Sequence, residues 1–244
     1  FGLNEVAVRL PSALAGTLLV LTTYYLVIEL INKRRAALLA ALFVAISPWS
    51  LQMSRVGFEA NLATLFSGLG VLFFLRAIRS QKILSYSLSA VFFVASMYTF
   101  NSHRIFTPIM AAGLSLIFVK EILGNLNKSL VFYVLATALL LPLIPHLLSP
   151  EGRLRFNEVS WVNNLDIVIM SNAKIAQNEN AVWAKIVYNR RVFYAGEFAK
   201  HYLDHFLPDF LFVNGDVNPR LSVRSIGELY WLDLPLFLAG LAFL

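Results

Sequence analysis

The strongest constraint in this sequence is a succession of apolar blocks long enough, or nearly so, to cross a bilayer. A hydrocarbon core of about 30 Å needs roughly 20 apolar residues as a helix. Six such blocks lie near 11–31, 36–51, 60–78, 83–100, 105–119 and 129–148, and a seventh begins around Trp231. Pro11 is expected to open the first helix, where its missing N–H costs nothing. Pro142 and Pro145 are expected to kink the sixth. Composition agrees: 58% of the 244 residues are hydrophobic and only 14% charged, against about 45–50% and 25% in soluble domains. The expected fold is an all-α polytopic membrane protein.

The turns between blocks are charged unequally. The turns 32–37, 76–82 and 120–128 carry Lys33, Arg34, Arg35, Arg76, Arg79, Lys82, Lys120 and Lys128. The alternate set carries only Arg9, Arg55 and Arg104. By the positive-inside rule the first set is cytoplasmic. Glu5, Arg9, Arg55, Glu59, His103, Arg104 and the segment 149–230 then face outward, in the plasma (inner) membrane of a multi-pass protein. The net charge of +6 does not indicate nucleic acid, because the basic residues cap apolar blocks and form no stripe. With no cysteine, disulfides and thiolate metal sites are excluded. The chain starts at Phe1 without an initiator Met and ends at Leu244 within an apolar run, so it reads as a fragment with further spans expected on both sides.

Three outward pieces concentrate polar chemistry: LNEVAVRLPS, SRVGFEANL and YTFNSHRIF. Arginines near a helix end can snorkel to headgroups, and an Arg–Glu pair can serve packing alone. Convergence favours a binding site, since guanidinium forks match phosphate oxygens. Arg55 and Glu59, at i and i+4, share a face if the following span's helix extends back to Arg55. The candidates for substrate binding here are Glu5, Arg9, Arg55, Glu59, Asn101, His103 and Arg104.

At these residues the chain resembles the GT-C superfamily of membrane glycosyltransferases, in the dolichyl-phosphate-mannose protein mannosyltransferase-like branch that includes the aminoarabinose transferases. The likeness rests on E-x-A-V-R-L-P-S-A-L (Glu5 to Leu14), on S-P-x6-R-x3-E (Ser47, Pro48, Arg55, Glu59), and on G-D-x-N-x-R before the last apolar block. It implies a GT-C-type helix bundle that transfers a mannose-like sugar from a polyprenyl-phosphate donor to a protein, lipid or glycan acceptor at the outer face. It implies that Arg55, Glu59, His103 and Arg104 line the donor site, with the arginines on phosphate and Glu59 orienting or touching sugar. It adds Asp216 and Arg220 as rim candidates, although Leu221 stands where relatives often carry His. The general base is expected in an outward loop before Phe1, so no catalytic residue is assigned within the chain. A multi-pass transporter or lipid flippase is the alternative; such proteins place their sites near the midplane, often between repeats, and no clear repeat is found.

The domain plan is therefore 1–10 as the end of an outward loop, 11–148 as six spans, 149–230 as an extracytoplasmic segment, and 231–244 as the start of another span. Within 149–230, apolar spacing from Trp183 to Phe206 predicts an interfacial amphipathic helix with Lys185, Arg190, Arg191 and Lys200 on its basic face. His201 and His205 share the i, i+4 spacing of metal ligands, but without a defined third ligand they read as packing and hydrogen-bonding groups. No cofactor is assigned, and a divalent cation is left open; membrane lipids are expected partners.

Overall fold

The computed structural model describes residues 2, 4–150, 152, 165–223 and 225–243; most of 151–164, in the first part of the expected extracytoplasmic segment, lies outside them. Every regular element among the described residues is helical. Among the described residues, nine helices lie within the first 148 positions: α1 (Glu5–Ile31), α2 (Arg34–Ile46), α3 (Pro48–Val56), α4 (Glu59–Ser80), α5 (Ile83–Thr99), α6 (His103–Ile117), α7 (Val119–Gly124), α8 (Leu126–Leu140) and α9 (Leu143–Leu148). They are followed by α10 (Leu165–Gln177), α11 (Val182–Val187), α12 (Arg190–Asp204), a π-helical turn (Asp209–Val213) and α13 (Asp233–Phe243).

Each of the six expected apolar blocks is helical, with three corrections. First, α1 starts at Glu5, capped by Asn4, whose side chain accepts from the Ala7 N–H at 2.8 Å. Pro11 therefore lies inside the helix, not at its start. Second, the block 36–51 is broken after Ile46, because Pro48 has no N–H to continue the ladder and pushes Ser47 into an extended conformation (ψ 131°). The axis turns by 54° there. Third, the block 105–119 ends as α6 at Ile117 and a short helix, α7, lies in the basic turn after it, while the block 129–148 is a helix pair, α8–α9, interrupted at Leu141–Pro142. That break is where the prolines predict a kink.

α1 and α4 are long and apolar enough to cross a membrane, and α2–α3 passes the same test only as a bent pair, the geometry of a broken span or a re-entrant loop; α5, α6 and α8 are apolar but shorter. The packing is that of a membrane protein. α1 buries only Ser12, Ala15 and Thr22, while Leu10, Leu14, Leu18, Leu21 and Tyr25 are exposed. A large exposed leucine stripe is unfavourable in water, but it is an ordinary lipid face. Small residues toward the neighbours let backbones approach. Gly70 of α4 abuts the Phe93 ring of α5, and its carbonyl accepts from Ser89 Oγ at 2.8 Å. The core joins Phe74, Tyr86, Phe93, Ile122 and Phe132 across α4, α5, α7 and α8.

Buried polar side chains tie the helices together, because in hydrocarbon they find partners only within the protein. Ser96 and Thr107 hydroxyls join α5 to α6 at 2.9 Å. Near one end of the bundle, Asn61 of α4 donates to the Ser12 carbonyl at 2.8 Å and reaches Ser12 Oγ and Ser54 Oγ; Ser12 Oγ donates to the Met53 carbonyl. This knot holds α1, α3 and α4 together. At the other end, Glu29 of α1 pairs with Arg76 at 3.0 Å and Arg79 at 3.1 Å on α4.

The Asn61 knot gives a direct expectation. Asn61→Ala should lower unfolding stability in detergent by about 1–2 kcal/mol, because Ser12 and Ser54 lose a donor that no water replaces. An unchanged thermal midpoint would show that these contacts hold nothing in place.

Candidate functional site

The break at Ser47–Pro48 shapes a concavity beside α1. α3 turns away from the line of α2 and packs on α1, leaving a cavity of about 700 Å³ between the three helices. Arg9, Ala13, Gly16, Thr17, Val20 and Leu21 line it from α1, Val44 and Ala45 from α2, and Ser50, Leu51, Ser54 and Arg55 from α3. The α1 residues recur on one helical face and span roughly 18 Å along the axis. The polarity is graded: two guanidiniums sit toward the Arg9 end, and valine and leucine line the far end.

Gly57 seats the end of α3, which carries Arg55, against the turn of α1 that carries Arg9. It is in the left-handed region (φ 69°) and caps α3, and a Cβ there would lie 3.1 Å from the Val8 carbonyl oxygen. Only glycine meets both demands without strain. The turn from α3 to α4 thus rests on the first turns of α1. Next to Gly57, Phe58 meets Phe100 edge-on at 5.6 Å, and His103 packs between Phe100 and Phe106 at 5.9 and 5.8 Å. The three polar turns picked out from the sequence therefore meet at one end of the bundle.

They do not all contribute to the cavity. Arg9 and Arg55 do. Arg9 pairs with Glu5 at 3.4 Å on an exposed helical turn, and among the described residues no ion pair joins Arg55 to Glu59. The shared helical face expected for Arg55 and Glu59 is not formed, because Gly57 ends α3 and Glu59 begins α4, where its charge suits the helix N-terminus. The Nδ1 atom of His103 is buried without a hydrogen-bond partner, and Arg104 donates from Nε to the Met97 carbonyl at 3.3 Å. Asn101 is exposed in the turn, its carbonyl accepting from the Arg104 N–H.

The turn 214–229 docks on α3 from the other side. Trp49 N–H and Ser47 Oγ both reach the Glu228 carbonyl at 3.4 Å, and Gln52 Nε2 reaches the Pro219 carbonyl at 3.4 Å. Asp216 accepts from the Asn218 N–H at 2.7 Å, and the Arg220 N–H donates to Asn218 Oδ1 at 3.0 Å. The rim candidates Asp216 and Arg220 therefore belong to a turn seated against the helix that carries Arg55.

At its centre is Glu228, which sequence reasoning did not single out. Its side chain is buried and accepts the Asp216 N–H at 3.0 Å. Burial pushes its carboxyl above the ordinary value of 4.5; the Asp216 N–H pulls it back, and the Asp216 charge raises it again. No local periodicity marks Glu228, since its burial comes from residues 210–216 and 47–49.

The amphipathic stretch predicted from Trp183 to Phe206 is two helices, α11 and α12, separated at Tyr188–Asn189, where Asn189 caps α12 by accepting the Arg191 N–H. His201 lies 3.4 Å from Glu197 and 3.7 Å from Asp204, and His205 Nδ1 bonds the His201 carbonyl. Among the described residues no group of three His, Cys, Asp or Glu is arranged to hold a metal ion.

Two outcomes test this geometry. Gly57→Ala should destabilise the protein by about 1–3 kcal/mol, measured by thermal unfolding; a neutral result would show that the turn tolerates a Cβ. For Glu228, a raised native pKa means that its contribution is full below 4.5 and lost as pH rises through the native value. Hydrogen exchange across 214–229 should therefore quicken as pH climbs through that window, beyond the intrinsic change, and Glu228→Gln should flatten the excess. The same excess in the Gln variant would assign it to another group.

Comparison with known families adds one finding. A family model described as dolichyl-phosphate-mannose-protein mannosyltransferase matches residues 1–148, a stretch that contains the whole cavity. No curated protein and no solved structure matches the chain.

Proposed function

Because the chain belongs to the dolichyl-phosphate-mannose-protein mannosyltransferase family, and is thus a GT-C-type membrane glycosyltransferase, we propose that it takes its sugar from a polyprenyl-phosphate donor and delivers it to an acceptor on the outer face of the membrane. The observation that carries this reading is the graded cavity: Arg9 and Arg55 near one end, Val20, Leu21 and Val44 toward the other. A lipid-linked sugar phosphate has the same polarity. The prenyl chain lies along the apolar groove, and the phosphate meets the guanidiniums.

The chemistry needs positive charge at that place. When the acceptor oxygen attacks the anomeric carbon, the bond from that carbon to the phosphate oxygen breaks. The acceptor proton passes to a base, and the donor phosphate leaves as a monoester with one more negative charge than the diester. Two arginines stabilise that developing charge more than the ground state, which is the condition for accelerating transfer. The residues lining the cavity include no carboxylate. These side chains thus serve the donor and leaving group, and the proton-accepting role is assigned to none of them. Glu5, Glu59, Asn101, His103 and Arg104 frame the same end of the bundle, and the turn carrying Asp216 and Arg220 supplies the rim toward the acceptor. The excess of basic residues on the opposite turns supports the outward orientation.

The test is sugar transfer from a radiolabelled polyprenyl-phosphate sugar in membranes containing the full-length protein. Arg55→Ala and Arg9→Ala should each lower kcat/KM by about 10- to 100-fold, with Arg55→Lys intermediate. Ala13→Phe should weaken long-chain donors more than short-chain ones. Full activity of both alanine variants at equal expression would remove this cavity as the donor site.

A further inference from the structure

A second cavity lies at the opposite end of the bundle, far along α1 from Arg9. It has a volume of about 250 Å³ and is lined by Glu29, Arg76, Arg79, Ser80, Lys82 and Ser85. We infer that this cavity binds the phosphate of an anionic phospholipid headgroup from the leaflet that faces the basic turns. The site is separate from the donor cavity, and the inference does not rest on the sugar-transfer reading.

Three cations surround a single carboxylate, so the concavity keeps an excess of positive charge. Glu29 orients the guanidiniums. Its carboxylate takes Arg76 Nε at 3.0 Å and Arg79 Nη1 at 3.1 Å, and its backbone carbonyl accepts Arg79 Nη2 at 2.7 Å. Arg76 is further held against the Tyr25 and Phe73 rings, at 5.4 and 5.7 Å. These contacts leave most of the N–H donors of both arginines free. The Lys82 side chain has no hydrogen-bond or ion-pair partner among the described residues. Lys82 is the N-cap residue of α5 and its side chain makes no capping bond; the Ser85 N–H bonds the Lys82 carbonyl at 3.1 Å, which leaves the Ile83 and Leu84 N–H groups at the start of that 17-residue helix without a helical partner. Pre-oriented guanidiniums, a free ammonium and open amides suit a phosphate better than a carboxylate.

A lipid source is favoured over a free anion by what adjoins the cavity. Leu30 and Ile31 follow Glu29 on α1, and Ile83 and Leu84 follow Lys82 on α5. All four are exposed. Apolar side chains beside a basic hollow at a helix end match a headgroup with its acyl chains, and basic pockets between spans are known to take such headgroups.

The experiment compares unfolding of the full chain in phosphatidylcholine bilayers, in mixed phosphatidylcholine–phosphatidylglycerol bilayers, and in phosphatidylcholine with excess inorganic phosphate. Phosphatidylglycerol should raise the unfolding midpoint by about 2–4 °C, and inorganic phosphate should not. The lipid-dependent difference should fall by at least half in Lys82→Gln and vanish in Arg79→Gln/Lys82→Gln. Each variant serves as its own reference, so any loss of basal stability cancels. Neutralising the neighbouring turn outside the cavity, with Lys33→Gln, Arg34→Gln and Arg35→Gln, should leave the difference in place. The inference is overturned by no shift in the wild type, by an equal shift with phosphate alone, by a full shift in the Arg79/Lys82 double variant, or by loss of the shift in the turn variant.

Discussion

Pro48 interrupts a run of apolar residues that would otherwise make one straight helix, and the geometry around the cavity follows from that interruption. Without a ladder N–H at residue 48, α2 ends and α3 leaves at a new angle. The bend opens a groove between α1, α2 and α3, and it offers the start of α3 as the platform on which the 214–229 turn docks. The same local event shapes the cavity and the surface on which that turn rests.

A bend of this kind persists only where its backbone and side chains are satisfied without water. At the crossing of α1, α3 and α4, Asn61 bonds the Ser12 and Ser54 hydroxyls and the Ser12 carbonyl, and Ser12 donates to the Met53 carbonyl. Gly57 then lets the chain reverse into α4 directly against α1. At the far end the Glu29 clamp ties the same two helices, α1 and α4. These long helices, which run in the same direction, are thereby pinned near both ends while their leucines remain in lipid. The cavity lies along this doubly pinned axis.

Much of this was legible in the residues. Apolar block length identified the helices, and the order of motifs pointed to the family that the match over residues 1–148 shows. The sequence also picked out Arg9 and Arg55 among its candidates. It did not separate them from Glu59, His103 and Arg104, since all five sit at helix ends in similar surroundings. Gly57 makes the difference. One residue in the left-handed region converts an i, i+4 pair on a supposed common helix into two residues on different helices. Pro11 misled for the opposite reason: a favourable N-terminal position for proline lay close at hand, but the Asn4 cap began the helix two turns earlier.

The sequence by itself determined the solvent, the helical class and the three polar turns that gather at one end of the bundle. Those follow from transfer free energy and from periodicity, which are properties of local segments. Only the tertiary structure decided which arginines share a cavity, that Glu228 is buried, and that Arg76 and Arg79 converge on Glu29. Each of these depends on contacts between residues dozens to nearly two hundred positions apart. In a membrane, such contacts are set by the close approach of small residues and the pairing of buried polar groups, and neither leaves a periodic trace along the chain.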